Sequence, residues 1–484
     1  MAEASVERWD AWVQGNSYRG REGKIFVVED PASGRALALV AQLTGEDVND
    51  AVASSRRAFD GGSWANLSGT ARGQALFRLA RLIRDEVERL AQWETRQVGK
   101  PIRDARDEVL TAADCFEFYG GAANKIYGHT IPVSAPGLDY TLKVPVGVVG
   151  LIVPWNFPFL ITAWKMAPAL AAGNSVIIKP ASYTPLTALL LGPLAQRAGI
   201  PDGIVNIVTG PGREVGEALV THPAVDKVAF TGETATGSRI LALAAPGIKR
   251  VSLELGGKSP TIVFAGVNVD DVARLTVLSA YANSGQDCCA RGRILVDQAV
   301  AEEFVERLTD HARQLTIGDP LHPDTQMGPL ISGAHHQRIG AFLQSGVDEG
   351  AVLALDPASL TIPSPGYYRA PAIFTQVPPG ARIVREEIFG PITTVQTFRS
   401  ETEAVAMANA TDYGLSGSVF SRDIGQALRV AAGVRSGVMS VNSIKSVHLE
   451  APFGGFKKSG LGRELGTEAL ELYTETKNVF VSLD

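Results

Sequence analysis

Gly147-Val148-Val149-Gly150-Leu151-Ile152-Val153 opens the stretch whose reading decides the fold. Apolar runs of the same kind recur at Ser175 to Lys179, Ile204 to Val208, Lys227 to Phe230 and Arg250 to Leu255. Helical segments fill the intervals, at Leu160 to Ala171, Pro185 to Ala198, Glu214 to His222 and Thr236 to Ala245. Strands that are apolar on both faces and separated by single helices predict a doubly wound parallel sheet, the α/β class. Such sheets bind ligands beyond the carboxyl ends of their strands, where Trp155, Lys179, Gly210 and Gly232 fall.

Phosphate-loop signatures are weak in this stretch. Gly210-Pro211-Gly212-Arg213-Glu214-Val215-Gly216 approaches GxGxxG, but its last glycine comes one residue late, so it is not counted as the fingerprint. Gly212 is kept as a candidate cofactor-binding residue on the ligand side of the sheet. Gly257-Lys258-Ser259 resembles the end of a P-loop, yet Ser252 stands where its first glycine belongs. The apolar run from Val144 to Ile178 is broken by Pro154, Asn156, Pro158 and Lys165, well short of the roughly 20 residues a membrane span needs.

Working outward, the amino-terminal side predicts strands at Lys24 to Glu29 and Arg35 to Ala41 and a helix through Val48 to Phe59. Helical periodicity follows from Thr70 to Glu94 and again over Asp104 to Ala123. Tyr127 to Val146 alternates like a β-ribbon standing off the main body. On the carboxyl side, a strand at Thr261 to Phe264, a helix through Val272 to Tyr281, a strand at Arg293 to Val296 and a helix through Val300 to Leu315 predict a second α/β domain. The strand-like Tyr473 to Leu483 is expected to be able to pair with a partner chain.

The 484 residues, 45% of them hydrophobic, are enough for two or three domains. A net charge of −6, from 45 basic and 51 acidic residues without long single-sign runs, argues against a nucleic-acid surface or a polybasic membrane anchor. The amino-terminal residues lack the basic cap and apolar run of a signal peptide, so a cytoplasmic location is expected. Three cysteines, Cys115, Cys288 and Cys289, form no disulfide or CxxC pattern.

Three features together point to chemistry. Asn283-Ser284-Gly285-Gln286-Asp287-Cys288-Cys289-Ala290 is a small-residue bend that presents a thiol after a helix. Pro154-Trp155-Asn156-Phe157-Pro158 can supply an amide donor, and Leu253-Glu254-Leu255-Gly256-Gly257 places a carboxylate between a strand and a turn. Nucleophile, oxyanion donor and base are the parts that covalent acyl chemistry requires.

These stretches, with Phe230-Thr231-Gly232, Lys258-Ser259-Pro260, Glu387-Ile388-Phe389-Gly390-Pro391 and Pro452-Phe453-Gly454-Gly455, resemble the aldehyde dehydrogenase superfamily over essentially the whole chain. The resemblance implies a dinucleotide-binding domain over 1–126 and 146–255, a catalytic domain over 256–460, and a small oligomerisation ribbon over 127–145 and 471–484. It implies oxidation of a small aldehyde to its carboxylate by a homodimer or homotetramer, with NAD or NADP as cofactor. Cys288 is then the nucleophile, Asn156 the oxyanion donor and Glu254 the base; Lys165 and Glu464 are either a proton relay or a structural ion pair. For the cofactor, the resemblance implies Trp155, Lys179, Gly232, Glu387 and Phe389. Ser182 stands where NAD-preferring relatives commonly carry Glu, which leaves NADP open, while Glu233 nearby weighs the other way.

The expected substrate mouth involves Phe157, Trp164 and Phe453. Glu108 and Glu450 tilt the expectation toward an aminoaldehyde or betaine aldehyde, with aromatic and aliphatic aldehydes open. Glu254 argues against a relative that releases an acyl-CoA, and the presence of both Cys288 and Glu254 argues against a catalytically retired scaffold. A cysteine hydrolase would want a histidine activator in a recognisable motif beside the thiol. No metal is expected: His335 and His336 lack further donors at ligand spacing and read as a helix surface.

Overall fold

Across the larger sheet of the computed structural model, which describes residues 6–483, the eight strands run Gly460–Leu461, Arg250–Glu254, Lys227–Thr231, Val148–Ile152, Ser175–Lys179, Val205–Ile207, Ala11–Val13 and Asn16–Tyr18. The strands from Arg250–Glu254 to Val205–Ile207 are mutually parallel. Chain order reverses between Val148–Ile152 and Lys227–Thr231, so a crevice opens beyond the carboxyl ends of those two strands. The predicted alternation is therefore observed, and the topology shows where it binds.

The Pro158–Ala171 helix, buried at every position but Leu160, accounts for the long apolar run after Val144. A helix that is apolar all round belongs inside a protein. Among the described residues no helix is long and apolar enough to cross a membrane.

The second sheet has seven strands, ordered Val352–Leu355, Ala372–Thr375, Ile392–Phe398, Arg293–Asp297, Pro260–Val263, Ser416–Phe420 and Val438–Val441. All neighbours are parallel except the Val352–Leu355 edge. Gly256 to Ser259 joins the carboxyl end of Arg250–Glu254 to the amino end of Pro260–Val263. The two sheets thus meet carboxyl ends to amino ends, with the cleft between them.

Several expectations are corrected. The periodicity from Thr70 to Glu94 covers two helices, Gly69–Asp85 and Val87–Val98, broken at Glu86 (φ −109°, ψ 16°). Periodicity does not register the break because Leu76, Leu79, Ile83 and Leu90 all enter one core. The helix expected at Glu214 to His222 begins as a π turn, Gly212–Gly216, before Glu217–Thr221. The strand expected near the carboxyl end is Thr474–Ser482; it pairs along its whole length with Gly137–Pro145 and forms the outer edge of a three-stranded ribbon completed by Thr130–Ile131, which leaves the expected pairing with a partner chain open. Gly460–Leu461 leaves the second domain and pairs with Arg250–Glu254, in register Leu253↔Leu461 and Glu254↔Gly460. This clamps the strand that carries Glu254.

Candidate active site

The thiol bend is built from backbone that few residues adopt. After the Val269–Tyr281 helix, Asn283, Ser284 and Gly285 take φ of 47°, 60° and 73°. Left-handed non-glycine residues cost free energy and persist only where the surroundings hold them. Here Ser284 Oγ donates to the Gly328 carbonyl (2.8 Å) and Asn283 Nδ2 to the Asn156 carbonyl (3.1 Å). The fully buried Gln286 side chain donates to the Asn283 carbonyl (3.0 Å) and accepts from the Ile331 N–H (2.9 Å). At Gly285 a Cβ would stand 2.4 Å from the Gly390 carbonyl oxygen, so only glycine fits.

This bend sets Cys288 on the wall of a cleft of about 790 Å³, shared with Asn156 and Glu254. Cys289 is buried and Cys115 fully so. Asn156 Nδ2 donates to the Gln286 carbonyl at 3.0 Å, which ties the amide to the thiol bend. An amide nitrogen carries two hydrogens, so one remains for the cleft. The Cys288 N–H donates to no acceptor among the described residues.

Glu254 ends its strand with Oε2 buried and unpaired. Burial first, then the Glu464 charge, hold its carboxyl well above the usual range, while Lys165 opposes the shift. That is the environment a carboxylate needs to act as a base. Lys165 and Glu464 form a buried ion pair behind it, outside the cleft lining. The contact with Cys289 and then burial push the Cys288 thiol well above its ordinary range. Asp287, Cys288 and Cys289 bring ligand atoms within 4.8 Å of one another, but three consecutive residues crowd one side of any ion.

The other half of the cleft suits a dinucleotide. Trp155, Lys179, Gly212, Gly232, Glu387 and Phe389 all line it. Lys179 is brought down to about 8 by burial, and its Nζ donates to the Pro180 carbonyl (3.0 Å). A Cβ at Gly212 would meet nothing within 4 Å, and Thr231 Oγ1, also on the lining, is buried without a partner. Glu387 is pushed up to about 7 by burial while accepting from the Gly257 N–H at 2.9 Å. It reaches that N–H only because Gly256 has no Cβ; one would lie 2.1 Å from its carboxylate. An open cradle with orphaned polar groups, a cation and a carboxylate fits a nicotinamide dinucleotide.

Of the expected substrate residues only Phe157 lines the cleft. Ser182 is off the lining and its hydroxyl donates to the Gly210 carbonyl at 3.0 Å. Trp164 and Phe453, both buried, pack edge-to-face at 5.4 Å. Glu450 is exposed on a turn away from the lining. Glu108 is not brought to the cleft either: it is buried, ion-paired with Lys100, and accepts from the Leu160 N–H at 3.2 Å. Its helix was legible in the sequence, its inward-facing partner was not.

Sequence reasoning also missed His335. It lines the cleft instead of a free helix surface, with its ring 5.5 Å from Trp155 and Nε2 donating to the Phe389 carbonyl at 2.8 Å. Burial takes it down to about 4, so it is a neutral wall. No local pattern could have marked it, because its partners come from other parts of the chain. Glu233 and Arg338 face each other at 3.9 Å on the same lining.

Two sheets meeting end to end, with a thiol on one side of the cleft and a dinucleotide cradle on the other, define a class of oxidoreductase. The profile described as "Aldehyde dehydrogenase family" matches residues 18–479, and the chain belongs to that family. An aldehyde dehydrogenase of Aspergillus niger is 42% identical over 473 residues, covering 98% of this chain and 95% of that protein. The betaine aldehyde dehydrogenase of Bacillus subtilis (strain 168) is 38% identical, covering 97% of this chain and 96% of its own. The solved NAD-dependent aldehyde dehydrogenase from Sinorhizobium meliloti superposes with a TM-score of 0.96 at 40% identity, covering 99% of this chain and 95% of that one.

Proposed function

We propose that the chain oxidises an aldehyde to its free carboxylate through a thioester on Cys288, with NAD and NADP both admitted. The observation that carries the reading is the convergence of Cys288, Asn156 and Glu254 on one cleft that also holds the dinucleotide cradle. Attack by the Cys288 sulfur on the aldehyde carbon drives charge onto its oxygen, where the free Asn156 N–H and the Cys288 N–H donate. Bound nicotinamide dinucleotide supplies the hydride acceptor. Glu254 then takes a proton from the water that cleaves the Cys288 thioester, and the buried Lys165–Glu464 pair behind it offers the proton a way onward.

Glu108 and Lys100 neutralise each other, so the support that Glu108 lent to a cationic substrate is withdrawn. An aldehyde with an apolar end suits Phe157 and Ile161 on the cleft lining. A quaternary ammonium end is a second reading, favoured by the 38% identity to a betaine aldehyde dehydrogenase. The Gly137–Pro145 and Thr474–Ser482 ribbon exposes Leu138, Leu142, Phe480 and Val481, which supports assembly as a homodimer or homotetramer through it. Sedimentation as a monomer would remove the oligomer from this reading.

Initial rates of NAD(P)H formation across aliphatic, aromatic, amino and trimethylammonium aldehydes, without CoA, test the reaction. Turnover is expected with both cofactors; silence across the panel with Cys288 titrating as a free thiol would overturn the proposal. Ser182→Glu is expected to lower kcat/KM with NADP by about tenfold or more relative to NAD, because a carboxylate there repels a 2′-phosphate. An unaltered cofactor ratio would refute that account of Ser182.

A further inference from the structure

Beside the Asn156 wall lies a buried polar cluster that the chemistry above leaves unused. Glu94 is 0%, Lys100 1% and Glu108 4% exposed. Lys100 and Glu108 form an ion pair in the interior. Glu94 Oε2 accepts from Gln97 Nε2 (2.8 Å) and Thr187 Oγ1 (2.6 Å). The other carboxylate oxygens meet one helix end: the Phe159 N–H donates to Glu94 Oε1 (3.3 Å) and the Leu160 N–H to Glu108 Oε1 (3.2 Å).

That end belongs to the Pro158–Ala171 helix, which has no side-chain cap at its own N-cap residue. Pro158 has no N–H, so Phe159 and Leu160 supply the first donors left unmatched by the helix. Burial pushes the Glu108 carboxyl well above its usual range while Lys100 opposes the shift, and the positive end of the helix sides with Lys100. On its other side Lys100 Nζ lies over the Phe157 ring, 4.1 Å from the centroid. One buried cation therefore touches the residue directly after Asn156, and the carboxylates fix the residues just beyond.

We propose that Lys100 and Glu108 are positioning residues for aldehyde oxidation, pinning Phe157 and the amino end of the Pro158–Ala171 helix so that the Asn156 amide stays aimed at the reacting oxygen. This rests on the assignment of Asn156 as oxyanion donor. An apolar or freely moving anchor would let that amide shift, and misplacement by about 1 Å costs on the order of 100-fold.

The test is a double-mutant cycle on the full chain, with kcat/KM for the best aldehyde, the pre-steady-state rate of NAD(P)H release, cofactor Kd and melting temperature read together. Asn156→Ala is expected to lower kcat/KM by about 100- to 1,000-fold. Lys100→Met is expected to lower it by about 100-fold with cofactor Kd unchanged, but by less than about threefold further in the Asn156→Ala background. Lys100→Arg, which keeps the charge, is expected to recover most of the loss. Full additivity of the two losses, or no recovery with arginine, would overturn the proposal. Should Lys100→Met fail to fold, Glu108→Gln carries the test: a loss of about tenfold that vanishes in the Asn156→Ala background supports it, and activity within about twofold of wild type overturns it. Unimpaired Asn156→Ala enzyme would instead overturn the oxyanion assignment on which it stands.

Discussion

Replacing Cys288 by alanine is expected to abolish aldehyde oxidation, by about 10⁵-fold or more, while cofactor binding survives. Losing the atom that bonds to the substrate removes the covalent route itself, so the residual rate should come from binding and oxyanion donors alone. Two adjacent thiols make the assignment testable. Cys288 stands on the cleft wall, whereas Cys289 is buried, with its N–H donating to Asp287 Oδ1 at 2.8 Å. Cys289→Ala is therefore expected to cost less than about tenfold. The paired measurement is stopped-flow NAD(P)H formation and fluorescence titration of the cofactor for both variants. Persistent turnover without Cys288, or death on loss of Cys289 alone, would reassign the nucleophile. Because Cys289 and burial hold the Cys288 thiol above its ordinary range, attack at neutral pH needs an acceptor for the thiol proton.

Glu254→Gln is expected to stall the enzyme as its thioester. Deacylation should slow by about 10²- to 10⁴-fold, while the first turnover still releases NAD(P)H as a burst if thiol attack does not depend on the same carboxylate. Intact-mass measurement after mixing with aldehyde and cofactor should then find the acyl adduct on Cys288. An unchanged steady-state rate would remove Glu254 from deacylation. The pH profile supplies a second readout. Burial and the Glu464 charge raise the Glu254 carboxyl, so the base form fills only as pH climbs past the usual carboxylate range. A deacylation limb rising with pH is expected in the wild type, and its loss in Glu254→Gln.

Cys288, Asn156 and Glu254 were legible as candidates before any fold was known, because each sits in a short stretch that carries the family resemblance. A thiol after Gly285-Gln286, an amide in Pro154 to Pro158 and a carboxylate before Gly256-Gly257 are each short motifs, and the resemblance rests on their occurring together in order. Residues whose role depends on what packs against them were not legible. Glu108 read as an acid for a cationic substrate end; in the fold it is paired with Lys100 beneath Phe157. His335 read as helix surface and proved to wall the cleft against Trp155 and Phe389. Ser182 left NADP open as a position without the usual Glu; in the fold its hydroxyl already donates to the Gly210 carbonyl.

The sequence by itself determined the alternation of strands and helices from Gly147 to Leu255, the two α/β domains and the ribbon strands, because apolar periodicity and turn residues act within a few positions of one another. Only the tertiary structure decided the strand order that opens the crevice, the meeting of the two sheets end to end, and the capture of Gly460–Leu461 beside Glu254. Those depend on pairings between segments far apart in the chain, and a buried partner leaves no mark on its neighbours in sequence.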